Sequence, residues 1–320
     1  MTVAEYEDFV TSPVVDESVA TDDGVNLVLV HGDRGRITPP GSLPLVVCAI
    51  GDELGGSGPD AADLVVSDDE IDHLVERVDA CPLAATSLVG LLRASVGVPI
   101  DEALALESAV YSMLQGGPEF AAWRAGTEPR SDRDDQPVAR LTRADRQLTI
   151  ELDRPSRHNA ITAQLRDELY AALAVARADP SVDRVLLRGR GPSFCSGGDL
   201  TEFGARADPV HAHRIRLARS PARVLAMLHD RLTANVHGAT LGGGLEMAAF
   251  ARHVVAHPAT RFGLPEVALG LVPGAGGTVS LPRRIGRQRT VALALAVDTI
   301  DADTALTWGL VDAIDAEWTG

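Results

Sequence analysis

The sequence predicts an α/β fold, and three observations carry that expectation. Beyond residue 146, short apolar runs with strand character alternate with longer runs of helical period. Several of the strand-like runs end in glycine-containing turns. The chain has 320 residues, 45% apolar and 23% charged, a soluble globular profile long enough for one large domain, or for an ordinary domain with an extra piece.

Along the chain, three β-rich runs come first: "VNLVLVHG" (25–32), "LPLVVCAIG" (43–51) and "ADLVVS" (62–67). Two helical patterns follow, at 69–95 and 100–114. The stretch "TEPRSDRDDQP" (127–137) joins charge and proline with almost no apolar side chain, as a solvated linker does. After it, "RQLTIELD" reads as a strand. "TAQLRDELYAALAVARA" reads as an amphipathic helix with Leu165, Leu169, Ala172, Leu173 and Ala176 on one face. "DRVLLRG" and "RLTANVHG" are further buried strands. The expected organisation is a small β-rich segment (1–61), a helical segment (62–126), a charged linker (127–140) and a core (141–320).

Composition excludes several functions. A net charge of −16 disfavours nucleic acid and anionic membrane surfaces as partners. All 29 basic residues are arginine, so a P-loop lysine and a Schiff-base lysine are both ruled out. The acidic start "MTVAEYEDFV" lacks the order of a signal peptide, and no apolar run approaches a membrane span. Cys48, Cys81 and Cys195 show no metal-ligand spacing. A cytoplasmic protein with reduced thiols and no metal is expected.

Chemistry concentrates in three segments: "GPSFCSGGDL" (191–200), "VHGATLGGGLEMAAF" (236–250) and "RFGLPEVALGLVPGAGGT" (261–278). Three consecutive glycines, Gly242 to Gly244, weaken any regular element, so something must need bare backbone there. A strand ends at them and a helix-compatible run begins. A helix amino terminus has free N–H groups, and glycine lets an external oxygen approach them. A second pair, Gly197 and Gly198, also follows a strand, and two N–H donors from separate turns can converge on one carbonyl oxygen. Glu246 falls in the first helical turn, and Glu266 follows a proline in a loop.

Together "LDRPSRHNAI", "FCSGGDL", "VHGATLGGGLE" and "FGLPEVALGLVPGAGGT" resemble, in order and approximate spacing, the crotonase superfamily typified by enoyl-CoA hydratase. The resemblance covers roughly residues 147–316. It implies a spiral of ββα units with an acyl-CoA thioester between the glycine-rich turns, and no cofactor beyond the coenzyme A of the substrate. Gly198 and Gly243 correspond to the oxyanion hole, and Glu246 and Glu266 to the two glutamates that hold water in hydratases. Having both favours hydration over an isomerase or retro-Claisen relative, or a catalytically silent acyl-CoA-binding subunit. Arg157, His158, Ser196, Gly197 and Asp199 fall where coenzyme contacts are expected. Arg252 and His237 depart from the family's usual aspartate and asparagine without removing a catalytic group.

Other motifs carry plainer readings. Cys195 fits a buried space-filling thiol better than a nucleophile. "HAHR" (211–214) has no third metal ligand and fits a pocket-rim helix face, within a helical region (203–230) expected to line the acyl pocket.

Family members normally continue past "WGLVDAI" with helices that cover the pocket and build a trimer, whereas only "DAEWTG" follows Ile314. Residues 62–126, with "PLAA", "EALALES" and "PEFAAWR", resemble that carboxy-terminal segment. The resemblance therefore implies a permuted chain, an acyl-CoA substrate and a homotrimer or hexamer. Phe120 and Arg124 would approach the coenzyme's adenine end, in their own or a neighbouring subunit.

Overall fold

The first three strands, β1 (Leu27–Val30), β2 (Val46–Ile50) and β3 (Leu64–Val66), pair in parallel in that order. They are seen in a computed structural model that describes residues 2, 4–6, 26–30, 40–56, 58–127, 134–205 and 208–317. The ends of the predicted run 25–32 and part of the predicted linker lie outside the described residues. Apolar side chains fill both faces, as a covered parallel sheet requires. Val46, Cys48, Leu64 and Val66 join the main core, whereas Val28, Val30, Leu45, Val47 and Val65 gather with Tyr6 on the other side.

Four helices follow: α1 (Ile71–Ala80), α2 (Pro82–Ala94), α3 (Ile100–Gln115) and α4 (Pro118–Ala125). The single helix expected over 69–95 is therefore two. Pro82 has no N–H and takes the first position of α2, while Cys81 leaves helical geometry at φ −140°, ψ 63°.

The core begins with an antiparallel hairpin of β4 (Ala139–Ala144) and β5 (Gln147–Leu152), so the last two residues assigned to the linker already belong to a strand. Next come α5 (Ala163–Ala178), β6 (Arg184–Gly189), α6 (Pro209–Ala218), α7 (Pro221–Leu228) and β7 (Leu232–Val236). They are followed by β8 (Ala239–Leu241), α8 (Gly243–Ala248), β9 (His253–Ala256) and β10 (Arg261–Gly263). The elements α9 (Gly277–Ile285), α10 (Arg287–Leu295), α11 (Ala302–Trp308) and β11 (Ala313–Ile314) complete the core. The buried residues of α5 are Leu165, Leu169, Ala172, Leu173 and Ala176, the stripe that periodicity assigned to its core face.

The large sheet runs β11-β9-β7-β6-β5-β4, parallel except for the β4–β5 hairpin. After each of β5, β6, β7 and β9 the chain lays down a second, short extended stretch. These stretches pair in turn: Ile161 with Gly198, Cys195 with Thr240, β8 with β10, and Phe262 with Ile300. The result is the crotonase-type spiral, and its second layer sets the glycine turns side by side.

The amino-terminal helices pack directly on this core. Helix α3 lies against α6, α7 and α9, α2 against α9 and α10, and α1 against α10. One continuous apolar cluster includes Leu88, Leu92, Leu104 and Tyr111 together with Leu281, Ala292 and Leu295. The small sheet is tied in by Asp63, which is fully buried. Its carboxylate accepts hydrogen bonds from Arg93 of α2, Arg287 of α10 (2.6 Å) and the Val47 N–H (2.9 Å). Removing one member of a buried charge cluster costs roughly 3–5 kcal/mol, because the partner cations stay desolvated. Asp63→Ala is therefore expected to lower stability by about that amount, read as a shift in denaturant midpoint with little change in its slope.

Candidate active site

The strand pairing explains the glycines. Cys195 N–H donates to the Ala239 carbonyl (3.1 Å) and Leu241 N–H to the Cys195 carbonyl (3.0 Å), so the 195–198 and 241–244 turns run alongside each other. Gly197 has φ +93°, and a Cβ on it would lie 3.2 Å from the Leu241 carbonyl oxygen. Gly242 has φ +45°, a conformation that side chains resist, and a Cβ there would collide with Glu266 Oε1. A Cβ on Gly243 would lie 2.7 Å from Ile161, and one on Gly244 2.6 Å from the Cys195 carbonyl oxygen. Each of the three glycines thus has its own steric reason.

Gly198 and Gly243 both line one cavity of about 560 Å³, within the usual range for a small-molecule site. Among the described residues neither N–H has an acceptor. Gly243 opens α8, whose first N–H groups point out of the helix.

Glu246 and Glu266 line the same cavity and are both buried. Glu266 lies in a short 3₁₀ turn, Pro265–Leu269, rather than in the loop read from the sequence. Its Oε2 is buried without a hydrogen-bond partner among the described residues. Burial, followed by the neighbouring charge of Glu246, raises this carboxyl well above the usual range. Glu246 Oε2 instead accepts hydrogen bonds from the Ala275 and Gly277 N–H groups, both 2.7 Å. Burial pushes Glu246 up to about 7, opposed by those donors. The two carboxyls differ in the sense needed for one to hold a proton and the other to be ionised.

Sequence reasoning missed a third buried carboxylate. Glu107 Oε1 accepts from Gly276 N–H (2.8 Å), and its Oε2 accepts from Thr278 N–H (3.0 Å) and the Thr278 hydroxyl (2.7 Å). The four N–H groups of 275–278 thus alternate between Glu246 and Glu107 at the start of α9, where the helix dipole favours anions. Burial, then the charge of Glu246, pushes Glu107 up to about 8. The available signal was a charge on the apolar stripe of α3, at the spacing Leu104, Glu107, Ser108, Tyr111, Leu114. Tyr111 and Arg216, which also line the cavity, were missed as well.

The residues assigned to coenzyme contacts stand around the cavity, not in its wall. Arg157 and His158 are exposed, with His158 Nδ1 2.9 Å from Ser193 Oγ and its carbonyl accepting from Ser196 N–H. Ser196 and Gly197 form the turn beside Leu241. Asp199 accepts from Arg154 (2.7 Å) and from the Thr201 hydroxyl (2.7 Å), a pairing that braces the loop after Gly198. Phe120 and Arg124 meet that loop within their own chain, since a Cβ on Gly204 would lie 2.8 Å from Arg124 Nε and 3.4 Å from the Phe120 ring. Cys195 is buried and its thiol is pushed up to about 12 by desolvation, which suits a space-filling role. Helix α6, carrying "HAHR", borders the cavity through Ala212, Ile215 and Arg216, and His213 Nδ1 lies 2.9 Å from Ser108 Oγ. Arg252 is exposed, 3.7 Å from Asp230, and His237 Nε2 meets the Gly191 carbonyl at 2.7 Å, both away from the cavity wall. Among the described residues no helix is long and apolar enough to cross a membrane.

Gly242 gives a direct check on this geometry. Gly242→Ala forces either Glu266 or the backbone to move, and a misplacement of about 1 Å can cost roughly 10² in rate. Catalytic rate is expected to fall by about that factor while circular dichroism shows an intact fold.

These features define a class: a spiral α/β protein in which two acceptor-free glycine N–H groups and paired buried carboxyls face one cavity. The chain belongs to the enoyl-CoA hydratase/isomerase family, whose sequence profile matches residues 145–319. It is 39% identical over 178 residues to the mevalonyl-coenzyme A hydratase of Beauveria bassiana, a match covering 53% of this chain and 64% of that one. It is 35% identical over 176 residues to the 2,3-dehydroadipyl-CoA hydratase of Escherichia coli, covering 54% of this chain and 68% of the relative. The chain thus spans 64% and 68% of the length of these two curated relatives. Among solved structures, the enoyl-CoA hydratase of Bacillus anthracis superposes with a TM-score of 0.52 at 29% identity, covering 56% of this chain and 70% of that one. That of Thermoplasma volcanium gives 0.51 at 29% identity, covering 57% and 73%.

Proposed function

We propose that the protein is a 2-enoyl-CoA hydratase, adding water across the 2,3 double bond of an acyl-CoA thioester. One observation carries this reading: the acceptor-free N–H groups of Gly198 and Gly243 share a cavity with two buried carboxyls of different environment. The N–H pair would receive the thioester oxygen and stabilise the enolate as water adds, a contribution of several kcal/mol in a dry site. Glu246, held by two N–H donors, would be the ionised partner that takes a proton from water. Glu266, with an unpartnered oxygen, would carry the proton delivered to C2. The names of the relatives support hydration of a CoA thioester as the coarse chemistry.

The same reading includes the arrangement of the chain. Helices α1 to α4 would stand where the family's carboxy-terminal helices usually pack, making the chain permuted and a homotrimer or hexamer the expected assembly. Its support is the packing of α3 on α6, α7 and α9, with Glu107 reaching the turn that also holds Glu246. Ser196, next to the Gly197–Gly198 turn, and Arg124, against Gly204 in the loop after it, would serve the coenzyme side together with Arg157 and His158.

The test is crotonyl-CoA supplied to pure protein. Hydration removes the conjugated absorbance and yields a product heavier by one water. No loss with crotonyl-CoA or longer 2-enoyl-CoA thioesters, together with a gain of that absorbance from 3-enoyl-CoA, would replace hydration by double-bond isomerisation.

A further inference from the structure

The cavity holds a cation that the proposed hydration does not use. Arg216 of α6 is half-buried in its wall, stacked over the Tyr111 ring with its guanidinium carbon 4.6 Å from the ring centre. Its donors go to neutral acceptors only: Nε to Ser108 Oγ (3.1 Å), Nη1 to Gln115 Oε1 (3.3 Å), and Nη2 to the Ser108 carbonyl (3.4 Å) and Ser112 Oγ. A guanidinium has five N–H donors, so one on Nη1 is left over.

Three other arginines border the cavity, and each has a carboxylate. Arg166 and Arg219 share Asp167, and Arg223 pairs with Asp101. Arg216 forms no ion pair among the described residues. The carboxylate on its own side of the cavity, Glu107, is committed to Gly276 and Thr278. Desolvation lowers the pKa of Arg216 from its ordinary value, opposed by the charges of Tyr111 and Glu107. A half-buried cation held only by neutral acceptors is stabilised further when a ligand brings an anion to it.

Position narrows which anion that is. The Tyr111 ring is pressed against Gly274, where a Cβ would collide with it, and Gly274 adjoins the turn whose Ala275 and Gly277 N–H groups hold Glu246. Arg216 and the reacting carboxyls thus line one cavity and are linked through Tyr111 and the 274–277 turn. The pantetheine arm, with two amide units, keeps the coenzyme's phosphates away from the thioester that those carboxyls flank. We infer that Arg216 receives a carboxylate at the far end of the acyl chain, so that the preferred substrates are ω-carboxyacyl-CoA thioesters. This rests on reading the cavity as an acyl-CoA site.

The test is calorimetric binding of saturated pairs, which needs no turnover: hexanoyl-CoA against its ω-carboxy counterpart adipyl-CoA, with shorter and longer pairs. Wild-type protein is expected to bind the ω-carboxy member at least about tenfold more tightly at the best-fitting length, as a charge-assisted hydrogen bond allows. Arg216→Met should abolish that preference while binding of the alkyl member is largely kept, and Arg216→Lys should retain part of it. Equal binding of both members at every length, no binding of either, or a preference that survives Arg216→Met would overturn the inference. So would equal weakening of both members and of free coenzyme A, which would assign the arginine to a phosphate. If the preference holds but no enoyl-CoA is hydrated, the hydratase reading fails and this one stands. If hydration proceeds without a preference, this one fails alone.

Discussion

Glu266→Gln and Glu246→Gln are each expected to lower kcat for 2-enoyl-CoA hydration by at least about 10², the usual worth of a positioned acid or base. Glutamine keeps the shape of either side chain but can neither carry the proton of Glu266 nor take one as Glu246 does. The fold should survive, because Glu266 Oε2 has no partner to lose and glutamine can still accept from Ala275 and Gly277. The pH dependence follows from the same environments. Burial raises both carboxyls, so more alkaline conditions than usual are needed to ionise them. With Glu246 pushed up to about 7, its ionised form is lost as pH falls below that value, and the rate should decline on the acid side. The alkaline limb belongs to the proton on Glu266. Removing the charge in Glu246→Gln should move the titration of Glu266 downward, since that charge helps to raise it. Both variants hydrating at the wild-type rate would refute the assignment of the pair.

A chain lacking residues 1–137 is expected to be insoluble, or compact without fixed packing and strongly dye-binding. Helices α2 and α3 share one apolar cluster with α9 and α10, so their loss bares a broad apolar surface on the core. It also removes Glu107, leaving the Gly276 and Thr278 N–H groups at the start of α9 without their acceptor. Such a chain staying soluble, trimeric and active would contradict the view that the amino-terminal helices complete the domain.

What the sequence revealed was what local periodicity and glycine chemistry encode. The buried stripe of α5 follows from side-chain spacing, the first three strands from short β-rich apolar runs, and the turns around Gly198 and Gly243 from residues that only bare backbone explains. The break at Cys81 and Pro82 had a local signal, since proline seldom sits inside a helix, but the apolar pattern that continues across it reads as one helix. Glu107 was hidden by distance, because its partner Thr278 lies 171 residues away and nothing local says that a carboxylate in α3 meets the start of α9. Arg216 was hidden by its setting, since an arginine on a polar helix reads as solvated until Tyr111 is found beneath it. The steric part of the glycine triplet was equally non-local: Gly242 makes way for Glu266, and Gly244 for Cys195.

In the proposed mechanism two backbone N–H groups and two carboxyls act on one thioester. A crystal structure of the full chain with a saturated acyl-CoA tests it most directly. The thioester oxygen is expected roughly 2.7–3.1 Å from both the Gly198 and Gly243 nitrogens, the span of a working oxyanion site, with C2 and C3 of the acyl chain facing Glu266 and Glu246. A thioester bound away from the two glycines, or turned so that neither carboxyl reaches C2 or C3, would contradict it.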